Sequence, residues 1–262
     1  MKTIRSKDNP IYKAACQLLR KKYRNETGQY LLEGVKPLRD AIASGISIQS
    51  IFFEEGCRLQ EDFPENRTIL LRRELFQKLS DTEHSQGVIA VAEQRRFDLQ
   101  QVLTPEVGAA GAANVIVLDR LQDPGNIGTI IRTAEAAGYR AVIATSGTVD
   151  VYAPKVVRAA AGSLFRVSIV QAVAEQDVIS ALQQAGRRIV VTSLETEQSY
   201  WDVDLSENIA LVIGNEGSGV SEGFLNSSQI QIKIPMEGSI ESLNAAVAAG
   251  ILMYQSKIKK HQ

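Results

Sequence analysis

Two short apolar runs that empty into glycine and proline, followed by an alanine-rich stretch, constrain the C-terminal half of this chain most tightly. The first run, residues 209–213, leads into Gly214-Asn215-Glu216-Gly217-Ser218-Gly219. Five apolar residues that break into a glycine turn read as a buried strand. The second, residues 230–234, stops at Pro235, which has no amide to give a ladder. Ser242 then opens a segment so rich in alanine that a helix there can bury almost its whole circumference. Two glycine-bearing loops at strand ends, followed by a tightly packing helix, make a place where backbone can touch a ligand.

Upstream, strands and helices alternate. From Asn114 the rhythm is strong: strands at 115–118, 141–144, 166–170 and 188–193, helices at 127–137, 154–161 and 178–185. This spacing predicts an α/β unit with a mostly parallel sheet covered on both faces. A weaker rhythm over residues 1–95 predicts a small α/β module, opened by an amphipathic helix over 11–22 and containing strands at 29–33, 48–54, 68–71 and 88–92. Residues 96–113 are polar and small and are expected to be a linker, giving domains at 1–95 and 114–262.

Composition removes several function classes. No apolar run approaches the roughly 18 residues of a membrane span, and the charged first residues contain no apolar signal core, so a cytoplasmic protein is expected. Cys16 and Cys57 lack metal-ligand spacing, and the two histidines, His84 and His261, lie outside the glycine-bearing motifs; no metal site is expected. The net charge of −1 argues against coating nucleic acid by charge alone. It conceals an asymmetry, because residues 1–24 hold eight lysines and arginines against the single acid Asp8. Lys7, Asn9, Lys13, Lys21, Lys22 and Arg24 are candidate phosphate contacts, with Tyr12 and Tyr23 available for stacking. An ordinary solvated helix face is the alternative.

Three segments could carry chemistry. In Leu118-Asp-Arg-Leu-Gln-Asp-Pro-Gly-Asn-Ile-Gly-Thr-Ile-Ile-Arg, Asn126 stands where a helix N-cap is expected, and Arg132 falls off the apolar stripe of Ile127, Ile130, Ile131 and Ala134. Alone, these could be a cap and a surface cation paired with Glu135. In the second segment Glu216 sits at a strand's C-terminal end, where α/β sheets bind ligands. Its glycines fit neither the dinucleotide fingerprint nor a phosphate-binding P-loop, which disfavours a nicotinamide dehydrogenase and nucleoside triphosphate chemistry. In the third, Ser242 and Asn244 stand at the start of the alanine-rich helix.

Together the three segments resemble the SpoU/TrmH family of RNA ribose 2′-O-methyltransferases, within the SPOUT superfamily. The match rests on Asn126-x-Gly128-x-x-x-Arg132-Thr-Ala, on Gly214-Asn-Glu216-x-x-Gly219, and on Ile234-Pro-Met followed by Ser242-Leu-Asn244. The N-terminal part, with Asn9-Pro10-Ile-Tyr-Lys and Tyr30-Leu-Leu-Glu-Gly, is similar to the substrate-binding domain of ribosomal-RNA members. One departure is Ala245-Ala246, where many members have valine and serine, so no hydroxyl is available at position 246.

The resemblance implies a deep trefoil knot in the C-terminal domain, which ordinary connection rules would never suggest. It implies S-adenosylmethionine held by Thr192, Ser193, Leu194, Gly214, Asn215, Gly219, Ile234, Pro235, Met236, Ser242 and Leu243. Its candidate catalytic set is Arg132, Asn126, Glu216, Ser242 and Asn244. Arg132 would meet the ribose hydroxyl, as a base or as an orienting group, since a free guanidinium is a poor base. Asn126 would position the ribose or Arg132, Glu216 would fix Arg132 and the loop, and Ser242 and Asn244 would brace the site. It also implies an RNA partner, ribosomal RNA being favoured over transfer RNA, and a homodimer that buries the last helix. A ribosome-associated factor without catalysis is the rival reading.

Overall fold

The structure, a computed structural model, describes residues 2–57, 63–104, 113–239 and 242–258. It contains two compact units, Met1–Arg95 with Tyr152–Phe165, and Arg96–Val151 with Arg166–Gln262.

The first unit opens with a short strand, β1 (Lys2–Ile4), that the sequence rhythm did not reveal. Three residues with one buried side chain carry no periodicity. The helix expected over 11–22 is two helices, α1 (Pro10–Gln17) and α2 (Lys21–Thr27). Asn9 caps α1, its side chain accepting from the amides of Ile11 and Tyr12, with Pro10 at the first helical position. Arg20 is extended and breaks the run. Arg24, only 4% exposed, turns inward and donates to the Leu18 carbonyl at 2.7 Å, tying the two helices together.

After β2 (Gln29–Glu33), α3 (Val35–Ala43), β3 (Ile48–Glu54), β4 (Thr68–Leu71), α4 (Arg73–Leu79) and β5 (Val88–Glu93), the sheet order is β1-β4-β3-β5-β2. The β1-β4-β3 pairs are parallel and β5 is antiparallel to both its neighbours. Leu18, Phe52, Leu71, Phe76 and Ile89 form the core under α1 and α4. Tyr12 joins that core and donates to the Leu75 carbonyl at 3.0 Å, so it is no stacking platform.

The second unit begins inside the expected linker. Asp98 caps a short helix, α5 (Leu99–Leu103), whose Val102 and Leu103 enter the unit's core; residues 105–112 of that linker lie outside the described residues. Then follow β6 (Val115–Leu118), α6 (Pro124–Ala136) and β7 (Ala141–Thr145). Next comes α7 (Pro154–Ala159), which the sequence reading assigned to the C-terminal domain but which packs on β2 in the first unit, Tyr152 lying 4.9 Å from Tyr30 between ring centroids. The remaining elements are β8 (Ser168–Val173), α8 (Glu175–Gln184), β9 (Arg188–Thr192), β10 (Ile209–Ile213), α9 (Glu222–Ser227), β11 (Ile230–Ile232) and α10 (Ala245–Gln255).

The sheet order is β11-β9-β10-β6-β7-β8, and every pair is parallel. Strands β6, β7 and β10 are buried at every position, as apolar runs covered on both faces must be. The chain moves outward from β6 to β8 and then builds the other half of the sheet from β9. The direction therefore reverses between β6 and β10, and their C-terminal ends open the crevice where such sheets take ligands. Helix α10 packs against α6. Among the described residues no helix is long and apolar enough to cross a membrane.

Candidate active site

The loops leaving β6 and β10 meet at this reversal point. Residues 215–219 fold on themselves: Asn215 and Gly219 exchange backbone hydrogen bonds of 3.0 and 2.9 Å, and the Asn215 side chain accepts from the amides of Gly217 and Ser218. Gly219 has φ +67°. At Gly214 any Cβ would overlap the backbone of Gly219 and Val220, so only glycine lets the loop close there.

This turn projects Glu216 at the N-terminus of α6. Its carboxylate accepts from the amides of Gln122 at 3.1 Å and Asp123 at 3.2 Å, and from Asn126 Nδ2 at 3.0 Å. Burial alone would raise the Glu216 carboxyl; the hydrogen bonds from Asn126 and the backbone amides outweigh it and hold it below the usual glutamate value. The N-cap of α6 is Asp123, which accepts from the Asn126 amide at 2.7 Å, so Asn126 lies one turn inside the helix and is 8% exposed.

Asn126 passes the contact on. Its Oδ1 accepts from Asn244 Nδ2 at 2.8 Å, and Asn244 Oδ1 caps α10 by accepting from the amides of Ala246 and Val247. Both ends of this relay dictate the same orientation. A carboxylate only accepts, so Asn126 must present its nitrogen to Glu216. A helix N-cap must accept, so Asn244 must turn its nitrogen towards Asn126. The remaining polar atoms of the two amides then match at 2.8 Å.

The structure thus joins Asn126, Glu216 and Asn244, and corrects three expectations. Asn126 is not the helix cap. Glu216 holds Asn126 and the α6 N-terminus, not Arg132. The last helix starts at Ala245 with Asn244 as its cap, leaving Ser242 exposed ahead of it. Arg132 is exposed on α6 with no hydrogen bond or ion pair among the described residues; Glu135 pairs instead with Arg166. Of the residues expected to hold a cofactor, Thr192, Ser193 and Leu194 follow β9, Gly214, Asn215 and Gly219 follow β10, and Ile234, Pro235 and Met236 follow β11. They stand at the C-terminal ends of three adjacent strands and are part-exposed or exposed, as is Leu243.

Of the expected RNA contacts, Lys7, Lys13, Lys21 and Lys22 are exposed and Asn9 is half-buried as a cap; Lys13 pairs with Asp8 at 2.8 Å. Arg24 is withdrawn, because its guanidinium is buried on Leu18. Two residues at the crevice escaped the sequence reading, Asp119 and Arg120. Asp119 is fully buried immediately after an all-apolar strand, and an acid at that boundary is the signal that could have exposed it. Among the described residues no cluster of three or more metal-ligating side chains occurs.

A family model described as SpoU rRNA Methylase family matches residues 113–254, and one described as MRM3-like substrate binding domain matches residues 9–90. A 23S rRNA (guanosine(2553)-2′-O)-methyltransferase, RlmP, of Bacillus subtilis is 34% identical over 255 residues, covering 97% of this chain and 98% of that protein. The structure of an AdoMet-bound rRNA methyltransferase from Sinorhizobium meliloti superposes with TM-score 0.85 at 30% identity, covering 98% of this chain and 97% of that one. The SpoU methyltransferase AviRb from Streptomyces viridochromogenes, in complex with AdoMet, superposes with TM-score 0.81 at 29% identity, covering 95% and 97%.

Proposed function

The chain belongs to the SpoU rRNA methylase family, and from that premise we propose that it transfers a methyl group from S-adenosylmethionine to a ribose 2′-hydroxyl of 23S ribosomal RNA. The observation that carries this reading is the Glu216–Asn126–Asn244 relay at the sheet's reversal point, with Arg132, a guanidinium without a partner among the described residues, on the same helix. Ribosomal RNA is favoured because the Bacillus subtilis and Sinorhizobium meliloti relatives are named for it and because the substrate-binding match spans residues 9–90.

The residues present fit the methyl donor. The loops after β9, β10 and β11 offer main chain at three neighbouring strand ends, and Gly214 lets the β10 loop close tightly on itself beside them. Bound there, the donor supplies a methyl on a positively charged sulfur, which needs no metal and no covalent enzyme intermediate. The protein's work is to place the sugar oxygen in line, accept its developing charge and exclude water. Glu216 and Asn244 lock Asn126 from two sides, fixing the first turn of α6 and hence the helix that carries Arg132. Arg132 donates to the 2′-oxygen while the hydroxyl proton passes to a phosphate oxygen of the RNA; a guanidinium suits that role better than the role of base. Asn126, Glu216 and Asn244 act as positioning residues.

Two further features belong to the same reading. The chain beyond β11 runs beside the β9–β10 connection, where the Tyr200 amide donates to the Lys233 carbonyl at 3.0 Å, before α10 returns to α6. That path supports a knot. Val247 and Tyr254 on α10, with Trp201 and Ile258, are large apolar side chains left 51–61% exposed, which supports a homodimer through this surface. The test of the reading is Arg132→Ala with the labelled donor and 23S RNA. Transfer falls by about 10²–10³-fold while donor affinity stays within about twofold; turnover like wild type would refute the assignment.

A further inference from the structure

We propose that Asp119 is a positioning residue of this reaction, acting with Arg120 to clamp the 215–221 turn so that Glu216 reaches α6. The inference rests on the methyltransferase reading for its kinetic consequence but not for its geometry. Asp119 is fully buried at the end of β6, where its amide donates to the Ile213 carbonyl at 2.8 Å. A carboxylate buried to that degree must be matched by donors. One oxygen accepts from Arg120 Nη2 at 3.2 Å and from the Ser221 amide at 2.8 Å; the other lies 3.2 Å from Arg120 Nε and 3.3 Å from the Thr145 hydroxyl.

Arg120 curls back to make this bidentate pair and adopts φ +57°, a left-handed conformation that a non-glycine residue adopts only when its surroundings compel it. From there it grips both ends of the turn. Its carbonyl accepts from Asn215 Nδ2 at 2.8 Å, and its Nη2 reaches the Gly219 carbonyl at 3.3 Å. The turn is internally closed, so three attachments hold it as one body, through Asn215, Gly219 and Ser221. Glu216 leaves that body to bind Gln122, Asp123 and Asn126, in the same segment that starts at Asp119. The clamp and the glutamate are therefore two stitches between the same pair of loops. Loosening the first moves the second. An asparagine at 119 would keep the shape but turn one donor towards the Arg120 guanidinium.

The test is a double-mutant cycle between Asp119→Asn and Glu216→Gln, read by kcat on RNA and by amide exchange at Gln122 and Asp123. Asp119→Asn lowers kcat by about 10²-fold, the cost of an ångström-scale misplacement, with a smaller change in KM. Added to Glu216→Gln it costs no more than about twofold further, because both changes break one path. Both amides exchange faster in each single variant, and no faster in the double, while the β6 and β10 amides keep their protection. Multiplicative losses in kcat, or unchanged exchange at Gln122 and Asp123 in Asp119→Asn, would overturn the proposal. If Asp119→Asn does not fold, Arg120→Lys replaces it in the cycle, since lysine keeps the charge but loses the two-pronged contact. A wild-type protein that moves no methyl to RNA would sink the functional reading alone, and the exchange data would still decide this one.

Discussion

Replacing Asn126 by aspartate tests the polarity of the relay with almost no change in shape. In the native site Asn126 Nδ2 donates to Glu216 at 3.0 Å, and Oδ1 accepts from Asn244 at 2.8 Å. Asn126→Asp keeps the second contact and turns the first into two carboxylate oxygens facing each other. At the effective dielectric of a partly solvated site, two charges near 4 Å interact by about 4 kcal/mol. Glu216 is exposed on one side, which lowers this to about 2–4 kcal/mol of repulsion. That repulsion pushes the first protonation of the pair above the ordinary carboxyl value. The native Glu216 behaves oppositely. Its folded pKa is depressed, so its contribution is complete above the ordinary carboxyl value and is lost only as pH falls through the lower folded one. Between pH 5.5 and 8 the wild type should therefore be flat from this source. The variant should melt lower by roughly 4–16 °C at pH 8 and recover most of that loss at pH 5.5, as one proton enters the pair. Differential scanning calorimetry at the two pH values is the assay. A variant as stable as wild type at pH 8, or a deficit that does not shrink on acidification, would show that Asn126 does not donate to Glu216.

Three further outcomes follow from the structure. Gly214→Ala places a Cβ inside the backbone of Gly219 and Val220 and should abolish donor binding by calorimetry, whereas Gly223→Ala overlaps the movable end of Glu175, with Ile179 at ordinary contact, and should bind normally. Reversing charge at the exposed Lys21 and Lys22 should weaken RNA binding and flatten its dependence on salt; an unchanged salt slope would remove this helix from the RNA surface. Tyr254→Arg should shift the sedimentation of a dimer to that of a monomer at micromolar concentration, and a wild-type chain that sediments as a monomer would contradict the dimer outright.

Most of the sheet was legible because buried parallel strands announce themselves as unbroken apolar runs. Val115–Leu118 and Ile209–Ile213 were located to the residue. Two short elements were not legible. Lys2–Ile4 and Glu222–Ser227 are held by their neighbours, and neither is long enough to show a period. Asn126, Glu216 and Asn244 were legible as residues, but the wiring that joins them was not. Spacing within one segment placed Asn126 at a cap, yet the Asp123-Pro124 pair starts the helix three residues earlier. Which group Glu216 meets depends on contacts spanning some ninety residues of chain, and no local pattern encodes that. Arg24 shows the limit of charge patterning. Seven cations precede it in the first 24 residues, and its buried bond to Leu18 separates it from them.

The most direct measurement is the product. Ribosomal RNA from cells lacking this protein, treated with purified protein and S-adenosylmethionine, would be digested to nucleosides and analysed by mass spectrometry. The account predicts a single new 2′-O-methylated nucleoside, released from 23S RNA and formed about 10²–10³-fold more slowly when Arg132→Ala replaces the wild type. A methyl found on a base, or no methyl on any RNA despite a bound donor, would contradict it.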